Sequence, residues 1–201
     1  MTQNTNLAAL LSISGLLLII AGSALWLLLP ELDLRLFDAL RLHDDGGWVT
    51  AFTRLGGFAT LGPVALAAVG LLLILRRNGE AVWLFATIAS GRLAIEGLKL
   101  LFERARPPLA GRLDLVTSYS FPSSHSTGTM LTLLALAMLA RRQAFGPLAM
   151  VVACAMGWSR IALGVHWPGD VLAGLGLGMF WVGSAMRWHP KTSPRSNCPR
   201  T

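Results

Sequence analysis

Apolar runs recur along this chain at the length of a bilayer crossing, and most of its charges fall between them. A helix rises 1.5 Å per residue, so about 20 mainly apolar residues cover a hydrocarbon core of roughly 30 Å. Six segments approach that length, at about 7–29, 57–75, 81–102, 125–140, 145–165 and 169–187, the fourth being the shortest. The pattern predicts an all-α, polytopic membrane protein with six transmembrane helices. Residues 31–56 interrupt it, mixing leucines with acids and arginines. This stretch is too charged to span and too apolar for a free linker. It is expected to form one or two short interfacial helices between the first and second crossings, with Leu34, Phe37 and Leu40 toward lipid, covering one side of any site on that face.

Composition sharpens this reading. Of 201 residues, 54% are hydrophobic and 13% charged, and mean hydropathy is +0.59. A soluble domain carries about 25% charged residues. The net charge of +7 comes from 17 basic and 10 acidic residues. Those cations sit in short clusters between apolar runs and form no continuous face, so a nucleic-acid partner is excluded. Cys154 lies in an apolar run and Cys198 in the polar tail, which implies no disulfide framework. No lysine or arginine precedes the first apolar run, which is longer than the roughly 7–15 residues of a signal core, so it reads as a first transmembrane helix. No internal repeat or low-complexity segment is evident. Residues 1–188 read as one membrane domain and 189–201 as a disordered cytoplasmic tail.

Loop charges orient the bundle. Arg76 and Arg77, Arg141 and Arg142, and the tail with Arg187, Lys191, Arg195 and Arg200 fall on one side, which the positive-inside rule makes cytoplasmic. Both termini are then cytoplasmic, in an inner (cytoplasmic) membrane. The segments 31–56 and 104–124 and the turn around His166 face outward. Arg104, Arg106 and Arg112 lie on that outer face against the rule, and a functional reason for them would resolve the conflict.

Three polar clusters gather at the outer ends of the apolar runs. Lys99, Arg106 and Pro107 close the third run, and Pro122, Ser123, Ser124 and His125 open the fourth. Ser159 to Asp170, reading SRIALGVHWPGD, joins the fifth to the sixth. Three fixed cations, Lys99, Arg106 and Arg160, call for an anion of high charge density, and phosphate matches. Serine and proline before an apolar run mark a helix start, where free N–H groups and the helix dipole favour an anion. Ser123 can offer its hydroxyl and Ser124 its backbone N–H. Asp170, four residues after His166 in a first helical turn, can hold one ring nitrogen and leave the other free to attack. His125, with no neighbouring carboxylate, can serve as the acid. The reading is in-line attack by His166 on phosphorus, protonation of the leaving oxygen by His125, and hydrolysis of a phosphohistidine, with no metal or other cofactor.

These motifs, KLLFERARP, FPSSH and SRIALGVHWPGD, resemble the three-part signature of the type 2 phosphatidic acid phosphatase family. Its first motif, Lys, six residues, Arg-Pro, is matched by Lys99, Arg106 and Pro107. Its second, Pro-Ser-Gly-His, is matched by Pro122, Ser123 and His125, and its third by Ser159, Arg160, His166 and Asp170. The family's glycine is Ser124 here, which puts a side chain where the backbone approaches phosphate. The resemblance implies a six-helix lipid phosphatase with the same histidine roles.

Other polar residues read as structural. Arg92 and Glu96, at i and i+4, suggest a bundle-facing pair. His43, Asp44, Asp45 and Asp114 read as solvated loop residues. Trp48, Trp158, Trp167, Trp181 and Trp188 read as interface anchors or packing. A metal at His166 and Asp170 lacks further ligands at suitable spacing.

The expected substrate is a lipid phosphate or diphosphate held by the bilayer on the outer face. Undecaprenyl diphosphate is the first choice and phosphatidylglycerol phosphate the second, a ranking that rests on the family's bacterial members. The oligomeric state is left open. The alternatives are a transporter or flippase for a phosphorylated lipid or anion, and a silent lipid-phosphate binder. Transport favours a site at the midplane and internal repeats; here the polar cluster lies on one face and no repeat appears.

Overall fold

The computed structural model describes residues 2–140 and 144–190. Its helices are α1 (Thr2–Leu27), α2 (Pro30–Leu40), α3 (Trp48–Arg54), α4 (Phe58–Ile74), α5 (Asn78–Phe102), α6 (Ser124–Ala140), α7 (Phe145–Ala162) and α8 (Pro168–Ala185). A single 3-10 turn over Met186–Trp188 follows, and no strand occurs among the described residues. Among the described residues, five stretches are long and apolar enough to cross a membrane: Thr5–Leu27, Trp48–Ile74, Asn78–Phe102, Phe145–Ala162 and Pro168–Trp188. The fourth expected crossing is α6, whose 17 residues span about 25 Å. It is buried among its neighbours along most of its length. Arg141, Arg142 and the tail from Lys191 onward lie outside the described residues.

The outside of the bundle is apolar. Leu10, Leu17, Leu66, Ile74, Leu93 and Leu100 are each more than half exposed. In water this would be an aggregation surface, and in lipid it is the ordinary exterior of a helical bundle. Leu84, Leu131, Leu134 and Val182 fill the interior.

Between α1 and α4 lie two short helices, α2 and α3, the second belonging to the apolar stretch Trp48–Ile74. Pro30 stands at the first turn of α2, where its missing N–H costs nothing. The expected lipid side of α2 is wrong in one residue. Leu34 and Leu40 are exposed, but Phe37 is 3% exposed and packs on Trp167 with ring centroids 5.0 Å apart. Asp33 is buried on the same side, so α2 turns a mixed face inward.

The chain's two ends meet along a seam of small residues. Gly15 and Gly22 on α1 face Gly176 and Gly169 on α8, and Gly183, seven residues on, meets Ser12. A Cβ on Gly176 would lie 2.5 Å from the Gly15 carbonyl oxygen, and one on Gly22 would lie 2.5 Å from the Ala173 nitrogen. Such contacts let backbones approach closely, the usual basis of helix association in lipid. Gly176→Leu is therefore expected to lower the detergent melting temperature, since overpacking costs about 1–3 kcal/mol. An unchanged melting curve would show that α1 yields without cost.

Candidate active site

α5 and α7 end, and α6 and α8 begin, at one end of the bundle, which gathers Lys99 near the end of α5, His125 at the start of α6, Arg160 near the end of α7 and Asp170 at the start of α8. Arg76 and Arg77 are at the other. The turn after α7 reverses through Gly164, whose φ of 71° favours glycine. A Cβ there would also stand 3.1 Å from the Gly111 carbonyl oxygen. The Leu113 N–H donates to the Leu163 carbonyl at 2.9 Å, pinning the loop after α5 to this turn.

His166 lies in that turn and is 1% exposed. Its Nδ1 is 3.3 Å from Asp170 Oδ2, and its Nε2 is 3.0 Å from an Arg106 guanidinium nitrogen. This network sets the tautomer: Nδ1–H points to the carboxylate, and Nε2 presents its lone pair to Arg106. Burial, then the charges of Arg106, Lys99 and Arg160, holds the imidazole well below its usual pKa, so it is neutral. Burial, then the charge of Arg160, lowers Arg106 to about 10, which leaves it protonated at neutral pH.

The cations are held by backbone oxygens as well as side chains. Lys99, 2% exposed, donates to the Tyr119 carbonyl, which also accepts from Arg106 at 3.1 Å. Arg106 donates further to the Ser118 and Val165 carbonyls. Arg160 donates to Thr53 Oγ1 and to Asp114 Oδ2, both at 3.0 Å, while its buried Nε has no partner among the described residues. An unpaired guanidinium N–H in such a place is a donor available to an oxyanion.

The second motif frames the opposite wall. Ser123 is fully buried, donates its N–H to the Asp170 carbonyl and accepts from Ser126. Ser124 and His125 are half-buried at the start of α6, and His125 makes no hydrogen bond among the described residues. The turn between α3 and α4 crosses over it, and a Cβ on Gly57 would stand 3.5 Å from His125 Nε2. Ser159 does not face the histidines. Its hydroxyl bonds the Met156 carbonyl and Thr53.

Several contributors are not among the residues that the three motifs specify. Asp170 Oδ1 accepts from Arg104 at 2.6 Å, and Oδ2 accepts from the Ser120 hydroxyl and the Trp167 N–H. Arg104, 9% exposed, also reaches Asp33 Oδ2 at 2.5 Å and lies over the rings of Trp26 and Trp167. Asp33 in turn accepts the Gly169 N–H at 2.8 Å, so two carboxylates take N–H groups at the start of α8. Arg104, one of the three arginines that conflict with the positive-inside expectation, is thus neutralised by two buried acids. Two further expectations fail. Asp114 is not merely solvated, because it pairs with Arg160. Arg92 forms no salt bridge with Glu96 among the described residues, and lies instead over the Phe58 ring, 4.8 Å from its centroid.

Residues 80–194 match the PAP2 superfamily, more than half the chain. The protein belongs to that superfamily. It is 35% identical over 146 residues to the decaprenylphosphoryl-5-phosphoribose phosphatase of Mycobacterium tuberculosis, covering 68% of this chain and 78% of that protein. It is 31% identical over 128 residues to the undecaprenyl-diphosphatase BcrC of Bacillus subtilis, covering 55% and 62%. The crystal structure of a transmembrane PAP2-type phosphatidylglycerolphosphate phosphatase from Bacillus subtilis superposes with a TM-score of 0.74 at 25% identity, covering 89% of this chain and 93% of that one. The chain is accordingly a multi-pass membrane protein of this superfamily.

Proposed function

We propose that this protein is a lipid phosphatase whose nucleophile is His166. The observation that carries the reading is the convergence of Lys99, Arg106 and Arg160 on a neutral, buried histidine whose other nitrogen is held by Asp170. A bound phosphate draws Arg106 off Nε2 and frees the lone pair. Nε2 then attacks phosphorus in line while the bond to the leaving oxygen breaks, and His125 gives that oxygen its proton. Lys99, Arg106, Arg160, the Ser123 hydroxyl and the Ser124 N–H hold the remaining oxygens as charge shifts. Water, deprotonated by His125, cleaves the phosphohistidine and returns the imidazole neutral. Arg104, Asp33 and Ser120 act through Asp170 by fixing its carboxylate.

Residues 1–188 form the membrane domain, with six crossings of which α6 is the fourth, α2 and α3 in the interface, both termini cytoplasmic and the site on the outer face of the inner membrane. There a lipid's phosphate enters while its chain stays in the bilayer. Undecaprenyl diphosphate is the first candidate and phosphatidylglycerol phosphate the second, and relatives bearing both activities in their names support the choice. Three fixed cations do the work a metal would do, so purified wild-type protein is expected to release phosphate from these lipids in the presence of EDTA. Translocation of a labelled lipid with no phosphate release would replace this reading with transport, and release abolished by EDTA would remove the metal-free mechanism.

A further inference from the structure

Arg92 is a cation the chemistry above does not use. It sits in an apolar crossing, where an ionisable side chain is expensive and ordinarily marks a functional position. Its guanidinium lies over the Phe58 ring and the Glu96 carboxylate attracts its charge from beyond ion-pair distance, but it makes no hydrogen bond or salt bridge among the described residues. Glu96, one turn away, is exposed.

Its position relates it to the site. Arg92 is seven residues before Lys99 on α5, two turns along the same face, and both side chains turn toward the bundle. A Cβ on Gly128 would lie 3.0 Å from an Arg92 guanidinium nitrogen, so a side chain there would crowd the cation. Gly128 is three residues after His125 on α6, which puts the guanidinium about one helical pitch, roughly 5 Å, below the histidine. Thr129, on the His125 face of that same turn, carries a buried hydroxyl that also lacks a partner among the described residues. Phe58, beneath the guanidinium, is 63% exposed, so this polar niche lies between the site and the lipid.

We infer that Arg92 binds a second phosphate, the lipid-side phosphate of a diphosphate whose terminal phosphate is attacked by His166. This rests on the phosphatase reading and narrows its substrate class. A planar guanidinium with its N–H groups free is suited to two oxygens of one phosphate. One helical pitch is on the scale of a single P–O–P bridge, and a phosphate–glycerol–phosphate head group places its second phosphate farther off. A lipid monophosphate leaves Arg92 without a ligand.

The test compares farnesyl diphosphate with farnesyl phosphate, which share one chain, in wild type, Arg92→Gln and Arg92→Lys. The ratio of kcat/KM for diphosphate over monophosphate is expected to fall at least about tenfold in Arg92→Gln, with partial recovery in Arg92→Lys. A ratio within twofold of wild type overturns the inference, whether or not both activities drop. So does a loss confined to phosphatidylglycerophosphate relative to phosphatidic acid. A second measurement needs neither a variant nor turnover. Calorimetric titration of wild-type protein should give methylenediphosphonate a Kd at least about tenfold below that of methylphosphonate, about 1.4 kcal/mol, and equal values overturn the second site. Wild-type protein that releases phosphate from no lipid refutes the phosphatase reading, while the diphosphonate titration still decides Arg92 separately.

Discussion

Replacing His166 with alanine is expected to lower phosphate release by about four orders of magnitude or more on every lipid tested, as removal of a covalent nucleophile does in other enzymes. The protein should still fold, because His166 occupies a turn whose backbone is fixed by Val165 and His166 N–H bonds to the Arg160 carbonyl. Binding should survive as well, since Lys99, Arg106 and Arg160 remain. Removing the imidazole also frees the Arg106 nitrogen that now faces Nε2. A phosphonate analogue should therefore bind the His166→Ala protein at least as tightly as wild type. Acid-quenched wild-type enzyme given labelled substrate should carry an acid-labile phosphoryl group that the variant lacks. Undiminished turnover in His166→Ala would sink the assignment, and a labelled variant would move the nucleophile to another residue.

The second large effect is expected away from the reacting atoms. Arg104→Gln leaves Asp33 and Asp170 buried without their shared cation, and Asp170 then has lost its strongest donor. Displacing a catalytic geometry by about 1 Å can cost on the order of 100-fold. We expect a loss of that size in kcat with little change in KM, because Arg104 does not face the phosphate. Arg104→Lys should recover part of it, reaching one carboxylate but not both. A rise in KM with kcat unchanged would place Arg104 in binding. Asp33→Asn, which keeps an acceptor for the Gly169 N–H, should show the same kcat-directed loss in milder form. A melting temperature equal to wild type with kcat reduced would separate positioning from simple destabilisation.

Much of this architecture is legible from residue order because lipid imposes one rule on every crossing. A backbone without water must satisfy its own hydrogen bonds, so an apolar run of sufficient length is a helix. The candidate site is legible for a related reason. Lys99, His125, Arg160 and Asp170 each sit at a helix end next to a turn residue, and helix ends mark themselves in sequence. What escapes is the support behind them. Asp33 and Arg104 are 71 positions apart, and each taken alone reads as an exposed charge near an interface. Nothing local distinguishes Asp33, which is buried, from Asp38, which is more than half exposed. Phe37 is misplaced for the same reason: periodicity identifies an apolar face on α2 without saying whether lipid or Trp167 covers it. Thr53 and Ser120 carry no motif at all, and only the folded chain brings them against Arg160 and Asp170.

The glycine seam has a consequence in time. Its two halves belong to the first and last crossings, Leu27 and Pro168 being separated by the whole middle of the chain. A ribosome adding about 5–20 residues per second takes roughly seven to thirty seconds to cover that interval. Throughout it α1 waits in the bilayer with Gly15 and Gly22 unpartnered, and Asp33 waits beside it for an arginine and an N–H group made later. Only when α8 enters do Gly169, Asp170 and Asp33 come into register. On the proposed chemistry, this makes arrival of the final helix the event that switches the enzyme on, and a nascent chain arrested before it should carry every cation of the site and release no phosphate.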